Sequence, residues 1–390
     1  MADFKRGIII VMDSVGIGAL PDAAAYGDTG ADTLGGIARG VGQLDLPNFA
    51  ALGLGRVKPL PGLEAREVCG SYGRMDERSP NKDTTAGHWE MAGLTLDYHL
   101  PTYPQGFPRE VLDPFEQKIG RGVLANKPSS GTTIIEELGD EHVKTGKPIV
   151  YTSADSVFQI AAHEDVVPLS TLYQWCQWAR EILVGQHAVS RVIARPFTGK
   201  SGSYKRTANR HDYAFPPPGK TLLDHVKDAG LASVGVGKIS DIFCGQGITR
   251  SLPTKGNNAG LKATVEELKK HEPGLLFVNL VDFDMLYGHR RNIRGYYESL
   301  VEMDRALPEI LGQVADDELL IITADHGNDP SFPGSDHTRE YVPLLVYGPR
   351  LRNGVDLGTR KTFADIAKTL DAALGLGKVA EGGSFLDALR

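Results

Sequence analysis

The chain has 390 residues, 41% of them apolar and 23% charged, a usage that excludes a disordered chain and, at about 100–200 residues per domain, suggests two domains. Forty-two Lys and Arg against 49 Asp and Glu leave a net charge of −7, which argues against nucleic acid as a partner, because that affinity comes from cations neutralising phosphates. Cys69, Cys176 and Cys244 are widely spaced with no CxxC, which excludes a zinc ribbon, a redox dithiol and a disulfide framework.

Near the N-terminus the one unbroken apolar run is Ile8 to Met12, closed by Asp13. It is too short for a signal segment or a membrane span, so the expectation is a soluble cytoplasmic protein with no membrane partner. Similar runs recur at Ser233–Gly237, Leu275–Asp282 and Leu319–Asp325. Each is short, rich in β-branched residues and apolar on both faces, the pattern of parallel strands covered on both sides. Between them lie helix signals at Thr221–Lys227, Thr264–Lys270, Ser299–Leu311 and Thr362–Leu374. The fold expected is therefore α/β, with a largely parallel sheet between helices and ligands at the carboxyl ends of the strands. The stretch His99–Pro108 is punctuated by Pro and Gly, and Pro216-Pro217-Pro218-Gly219 forms a second break. Residues 99–215 thus read as an inserted smaller α/β domain, and residues 1–98 with 216–390 as a discontinuous core. Trp175 and Trp178 read as helix packing in the insert.

Three signals carry chemistry. Asp13, Asp282 or Asp284 with His289, Asp325-His326 and His337 all fall at strand ends or just beyond. Three Asp and three His converging there suit two divalent cations, which clamp the attacking and leaving oxygens of a phosphoryl displacement when ~3.5–4 Å apart. Mixed O and N ligation without thiolate points to Mn, Zn, Fe or Mg. Next, Asp83-Thr84-Thr85-Ala86-Gly87-His88 enters a helix. Either Thr could cap it, or present a hydroxyl nucleophile near backbone N–H groups that favour phosphate. Finally, from Arg191 to Lys220 seven Lys and Arg face one acid, Asp212, a local positive patch suited to a phosphorylated small molecule and to a lid. Histidines outside the metal set, His88 included, read as structural.

The strings Met12-Asp13-Ser14-Val15-Gly16, Lys82-Asp83-Thr84, Gly87-His88-Trp89-Glu90, Tyr151-Thr152-Ser153-Ala154-Asp155-Ser156-Val157, Asn209-Arg210-His211-Asp212 and Ala324-Asp325-His326-Gly327-Asn328 resemble the bacterial phosphopentomutases over essentially the whole chain. That family is a metal-dependent branch of the alkaline phosphatase superfamily. The resemblance implies an alkaline-phosphatase-like core and interconversion of ribose 1-phosphate and ribose 5-phosphate, or the 2-deoxy sugars, in nucleoside salvage. It implies two Mn²⁺, one on Asp13, Asp325 and His326, the other on Asp284, His289 and His337. It selects Asp284 over Asp282, and Thr84 as the phosphorylated nucleophile. Thr85-Ala86 departs from the family pattern, so Thr85 stays a rival whose register to His88 is wrong. A sugar bisphosphate is implied as activator of Thr84. Substrate contacts are implied at Ser153, Asp155, Val157, Arg191, Ile193 and Arg206 in the insert and at Lys238 in the core. The competing readings are a metal-dependent phosphatase or phosphodiesterase, a cofactor-independent phosphoglycerate mutase, and a non-catalytic metal-binding relative; the intact ligand set and hydroxyl disfavour the last.

Overall fold

A computed structural model describes residues 3–65, 67–153 and 156–390. The chain divides into two compact units, one of residues 1–98 and 216–390, the other of residues 99–215. In chain order the strands are β1 (Arg6–Met12), β2 (Ser71–Met75), β3 (Leu124–Pro128), β4 (Ile149–Thr152), β5 (Val157–His163), β6 (Arg191–Thr198), β7 (Lys205–Arg206), β8 (His211–Ala214), β9 (Ala232–Val236), β10 (Arg250–Leu252), β11 (Gly274–Leu280), β12 (Glu318–Thr323), β13 (Val342–Tyr347) and β14 (Asp356–Arg360).

The larger unit is built on one sheet, ordered β10-β9-β11-β1-β12-β13-β2-β14. The four runs expected to be strands are β9, β11, β1 and β12, adjacent and parallel in the middle of the sheet. β13 alone runs against the others, pairing antiparallel with β12 and β2. Both faces are covered, as the doubly apolar runs require. On one face the helices Thr33–Val41, Asn257–Leu268 and Ile293–Gly312 pack together, and a Cβ on Gly260 would lie 2.9 Å from Leu280. On the other, Gly7 lies against Leu370 of the helix Ala364–Ala373, and Phe277 meets the rings of His88 and Phe243. All seven residues of β1 and of β11 are buried.

The smaller unit has a six-stranded mixed sheet, β3-β4-β5-β6-β7 with β8 also paired to β6. Alternate residues of β5 separate its two cores, as period-2 geometry demands. Phe158 and Ile160 join Phe115, Trp175 and Val192 under the helices Arg109–Ile119 and Leu169–Ile182. Ala161 joins Ile134, Ile135, Tyr151 and Phe197 under the helix Gly131–Thr145. Trp175 is buried there and Trp178 packs beside it. Among the described residues no helix is long and apolar enough to cross a membrane.

Candidate metal centre and nucleophile

Each acidic residue of the candidate site sits where a central strand ends. Asp13 follows β1, and the chain turns at once through Ser14, whose φ of 70° is a costly left-handed conformation for a residue with a Cβ. That turn is held by Ser14 N–H donating to Asp325 Oδ1 at 2.9 Å, and by the Ser14 hydroxyl on the Tyr296 phenol at 2.9 Å. Asp325 and His326 follow β12. Asp284 lies in a π-helical turn, Phe283–Gly288, after β11, the wide kind of turn that recurs at functional sites. His289 caps that turn, and His337 lies on the loop between β12 and β13.

These side chains converge. Ligand atoms of Asp13, Asp325 and His326 lie within 4.8 Å of one another, as do those of Asp284, His326 and His337. His289 Nε2 is 3.1 Å from Asp284 Oδ2 and 3.2 Å from His337 Nε2. His326 Nε2 is 3.5 Å from both Asp13 Oδ1 and Asp325 Oδ2. The His326 and His337 rings stack with centroids 4.0 Å apart.

The donor set fits a pair of divalent cations on two observations. First, Asp13 Oδ1 and Asp325 Oδ2 are buried oxygens without a hydrogen-bond partner, and a buried carboxylate oxygen left bare is costly unless a cation meets it. Second, all three histidines turn Nδ1 to a backbone carbonyl: His326 to Gly327 at 3.1 Å, His289 to Ser335 at 2.8 Å, and His337 to Lys82 at 3.0 Å. A ring nitrogen facing a carbonyl carries the proton. In the neutral ring that metal ligation requires, Nε2 is thereby left with the lone pair, which points inward, the outer arrangement usual for metal-binding histidines. Three neutral rings with their lone pairs so aimed repel unless a cation lies between them; without one, protons on His289 and His337 bond Asp284 instead.

Electrostatics divides the carboxylates. Burial holds Asp13 well above the usual carboxylate range, and the charges of Asp325 and Asp284 add to it, against the Asn279 hydrogen bond and the Lys238 ammonium. Burial also works on Asp325, but His326, His88 and the Ser14 N–H outweigh it and hold that carboxyl low. Asp284, though buried, is driven well below the usual range by bonds from His289 and His337. His326 is lowered, chiefly by burial. Asp13 is therefore the carboxylate with most to gain from a cation.

Thr84 is the first residue of the helix Thr84–Met91, and its Oγ1 lies 3.2 Å from His326 Nε2. The cap is neither threonine. It is Asp83, whose side chain accepts from the N–H groups of Thr85 and Ala86 at 3.0 and 3.2 Å. Sequence reasoning placed the capping hydroxyl one residue late, because Asp, Ser and Thr cap alike. The correction frees the Thr84 hydroxyl. It also occupies two of the N–H groups expected to favour phosphate. The loop leading to Thr84 is clamped by Arg339, which donates to Asp22, to the Glu77 carboxylate at 2.8 Å and to the carbonyls of Glu77, Ser79 and Asn81. Lys82 pairs with Asp28 at 3.0 Å and Asp336 at 3.2 Å. Gly87 lets the helix close on β12, since a Cβ there would stand 2.3 Å from the Asp325 carbonyl oxygen.

Three polar groups around this site escaped the sequence reading. Asn279 donates to Asp13 Oδ2 at 2.8 Å and Asn328 to Asp284 Oδ1 at 2.7 Å. His88, assigned to structure, is wholly buried between Thr84 and Asp325. The usable signal was Asn279, a lone polar residue inside the apolar run LLFVNL.

The remaining expected residues are more dispersed. Lys238 is exposed in the turn after β9, and its charge reaches Asp13. In the smaller unit Val157 and Arg191 are paired partners opening β5 and β6. Arg191 lies 3.5 Å from Asp212. Val157 and Ile193 are each 2% exposed, so they offer a ligand little beyond backbone. Arg206 is exposed on β7, with Nη2 2.1 Å from where a Gly131 Cβ would stand. Ser153 follows β4, and Asp155 lies outside the described residues.

A family model described as the Metalloenzyme superfamily matches residues 5–378. A phosphopentomutase of Carboxydothermus hydrogenoformans is 58% identical over 387 residues, covering 99% of this chain and all of the relative. One from Acetivibrio thermocellus is 57% identical over 386 residues, again covering 99% of this chain and all of the relative. Among solved structures, a Leishmania mexicana phosphoglycerate mutase superposes with a TM-score of 0.46 at 14% identity, over 98% of this chain and 97% of that one.

Proposed function

The chain belongs to the phosphopentomutase family of the Metalloenzyme superfamily, and from that premise we propose how its residues move a phosphoryl group within a pentose phosphate. It is an isomerase with the alkaline-phosphatase-like α/β core expected of that superfamily. The substrates in this reading are ribose 1-phosphate and ribose 5-phosphate and their 2-deoxy counterparts, in cytoplasmic nucleoside salvage. The observation that carries the reading is the Thr84 hydroxyl standing 3.2 Å from His326 in the midst of six converging Asp and His side chains.

Asp13, Asp325 and His326 would hold one Mn²⁺, and Asp284, His289 and His337 the other. When bound, such ions supply Lewis-acid polarisation of phosphoryl oxygens and an activated hydroxyl at neutral pH. The chain's own residues do the rest. Thr84, once phosphorylated by a sugar bisphosphate, gives its phosphoryl group to a free hydroxyl of the bound pentose monophosphate. The Thr84 Oγ1–P bond breaks as the sugar O–P bond forms. The resulting bisphosphate turns over, and Thr84 takes the other phosphoryl group back. Asn279 and Asn328 keep Asp13 and Asp284 oriented, and Asp83 and Arg339 fix the helix start that aims Thr84. The smaller unit is read as the substrate domain, with Arg191 and Arg206 as its cations for the non-reacting phosphate and Ser153, Asp155 and the backbone at Val157 and Ile193 as its groups for the sugar. In the larger unit Lys238, whose charge reaches Asp13, is the cation for a substrate phosphate. Excluding water is what keeps such a transfer from ending as hydrolysis.

The test is conversion of ribose 1-phosphate to ribose 5-phosphate with Mn²⁺, with and without chelator, while free phosphate is followed. Chelator-sensitive conversion without phosphate release is expected. Phosphate release without ribose 5-phosphate would make the protein a phosphatase on the same metal centre. Turnover of 3-phosphoglycerate in place of the pentose would move it to the other mutase class.

A further inference from the structure

Behind the site, and touching no point where substrate would lie, is a buried imidazole that the reaction scheme does not use. His88 is 0% exposed, inside the helix that begins with Thr84. Its Nδ1 lies 2.8 Å from the Thr84 carbonyl oxygen and 3.2 Å from Asp325 Oδ2. Its Nε2 lies 3.3 Å from Asn279 Nδ2, and the same amide donates to Asp13 Oδ2 at 2.8 Å. The ring stacks on Phe277 at 5.7 Å. Donors and acceptors assign themselves. The Asn279 amide nitrogen can only donate, so Nε2 accepts and Nδ1 carries the proton, shared between the Thr84 carbonyl and the Asp325 carboxylate.

We propose that His88 is a positioning residue that ties the nucleophile's helix to the Asp13–Asp325 metal site through hydrogen bonds on both ring nitrogens. The inference rests on reading Asp13, Asp325 and His326 as metal ligands. Asp325 is held at Oδ1 by the Ser14 N–H at 2.9 Å, and the His88 N–H, 3.2 Å from Oδ2, is the group that steadies its other oxygen. Asp13 is limited by Asn279, and Asn279 by His88. A slack ring would loosen Thr84 and two ligands of one ion together, while Asp284, His289 and His337, held by Asn328, Ser335 and Lys82, would be unaffected. Groups that orient ligands in this way typically carry ~10–100-fold in metal affinity or activity.

Two substitutions separate hydrogen bonding from space filling. His88→Phe keeps the ring and its stack on Phe277 and loses both bonds; His88→Asn keeps an N–H near the place of Nδ1. Chelated protein is titrated with Mn²⁺ by calorimetry, and kcat and KM for ribose 5-phosphate are measured alongside. The expected result for His88→Phe is one of two Mn²⁺ sites weakened ~10–100-fold, the other as in the unsubstituted protein, with kcat reduced and KM within about 2-fold. His88→Asn should recover most of the lost affinity. If His88→Phe binds both ions with unaltered affinity, or both sites weaken equally, the proposal is overturned. Should His88→Phe not fold, Asn279→Ala decides, with a single weakened site supporting the relay and two unaltered sites refuting it. An unsubstituted protein that binds no divalent ion would instead refute the metal assignment beneath.

Discussion

The two units handle charge in opposite ways. In the larger, Asp13, Asp325, His326 and Asp284 are buried at the ends of the strongest strands, and two of their oxygens have no partner. In the smaller, the arginines of the basic stretch are half-exposed or exposed, and Arg191 and Arg210 already share Asp212. A buried, unpaired carboxylate survives only where the surrounding fold is stable enough to bear it, so its geometry is set before any ligand arrives. Surface ion pairs contribute little and rearrange readily. The larger unit therefore has the rigidity expected of the chemistry, and the smaller one has charge that can be redirected to a ligand. That contrast can be broken by substitution.

The largest effect belongs to Thr84→Ala. With no hydroxyl to receive the phosphoryl group, conversion should fall at least ~10³-fold. Mn²⁺ binding should be kept, because none of the six converging side chains is touched. A Thr84→Ala protein that still interconverts the sugars would eliminate this nucleophile, and Thr85 would be next to test.

Gly87→Ala should come second. A Cβ would stand 2.3 Å from the Asp325 carbonyl, which is backbone and has little freedom to yield, so the helix must move outward. Overpacking of this kind costs about 1–3 kcal/mol. Displacing a reacting group by ~1 Å can cost ~10²-fold in rate. Thermal unfolding and kcat should fall together. Unaltered kcat with lowered stability would mean that Thr84 tolerates movement, against the rigid half of the comparison.

Arg206→Ala should do less. Removing one exposed guanidinium, and with it one charge-assisted hydrogen bond to the phosphate, predicts a KM for ribose 5-phosphate raised about 10-fold. Mn²⁺ titration should be unchanged. A fall in kcat at constant KM would assign Arg206 to the transition state instead.

These contrasts explain what the sequence disclosed. β1, β9, β11 and β12 were legible because strands buried on both faces must be apolar throughout. β2, β10 and β14 (SYGRM, RSL and DLGTR) were not, because short polar strands away from the sheet centre carry no such signature. β13 hid behind Pro343 and its reversed direction. The clustering of Asp and His was legible because each residue follows a strong strand, and parallel strands bring their ends together. The supports were not. Asn279, Asn328 and His88 act through hydrogen bonds whose partners lie as far as 266 residues away in the chain, and no local pattern records that. The cap at Asp83 was missed for the opposite reason, since three neighbouring residues could each have supplied it.

The smallest effect is also the sharpest test of the comparison, because one segment in each unit, around His142 and around the Asp284–His337 pair, should answer acid with opposite signs. In the smaller unit burial lowers the pKa of His142, whose Nε2 accepts from the His163 N–H at 2.8 Å while Nδ1 faces the Lys147 carbonyl at 2.7 Å. A depressed histidine contributes stability above its unfolded pKa of ~6.5 and loses it as pH falls below. In the chelated larger unit, burial works against His337 but Asp284 more than offsets it, raising the imidazole to about 9. A raised histidine contributes fully below ~6.5 and loses its contribution as pH climbs towards 9. Between pH 7.5 and 5.5, hydrogen exchange corrected for intrinsic rates should show the helix Gly131–Thr145 losing protection while Phe283–Gly288 holds or gains it. Adding Mn²⁺ should reverse the second response, since ligation requires neutral imidazole and protons then compete with the ion. Equal losses in both segments without metal would mean that the histidines are not what sets the two units apart.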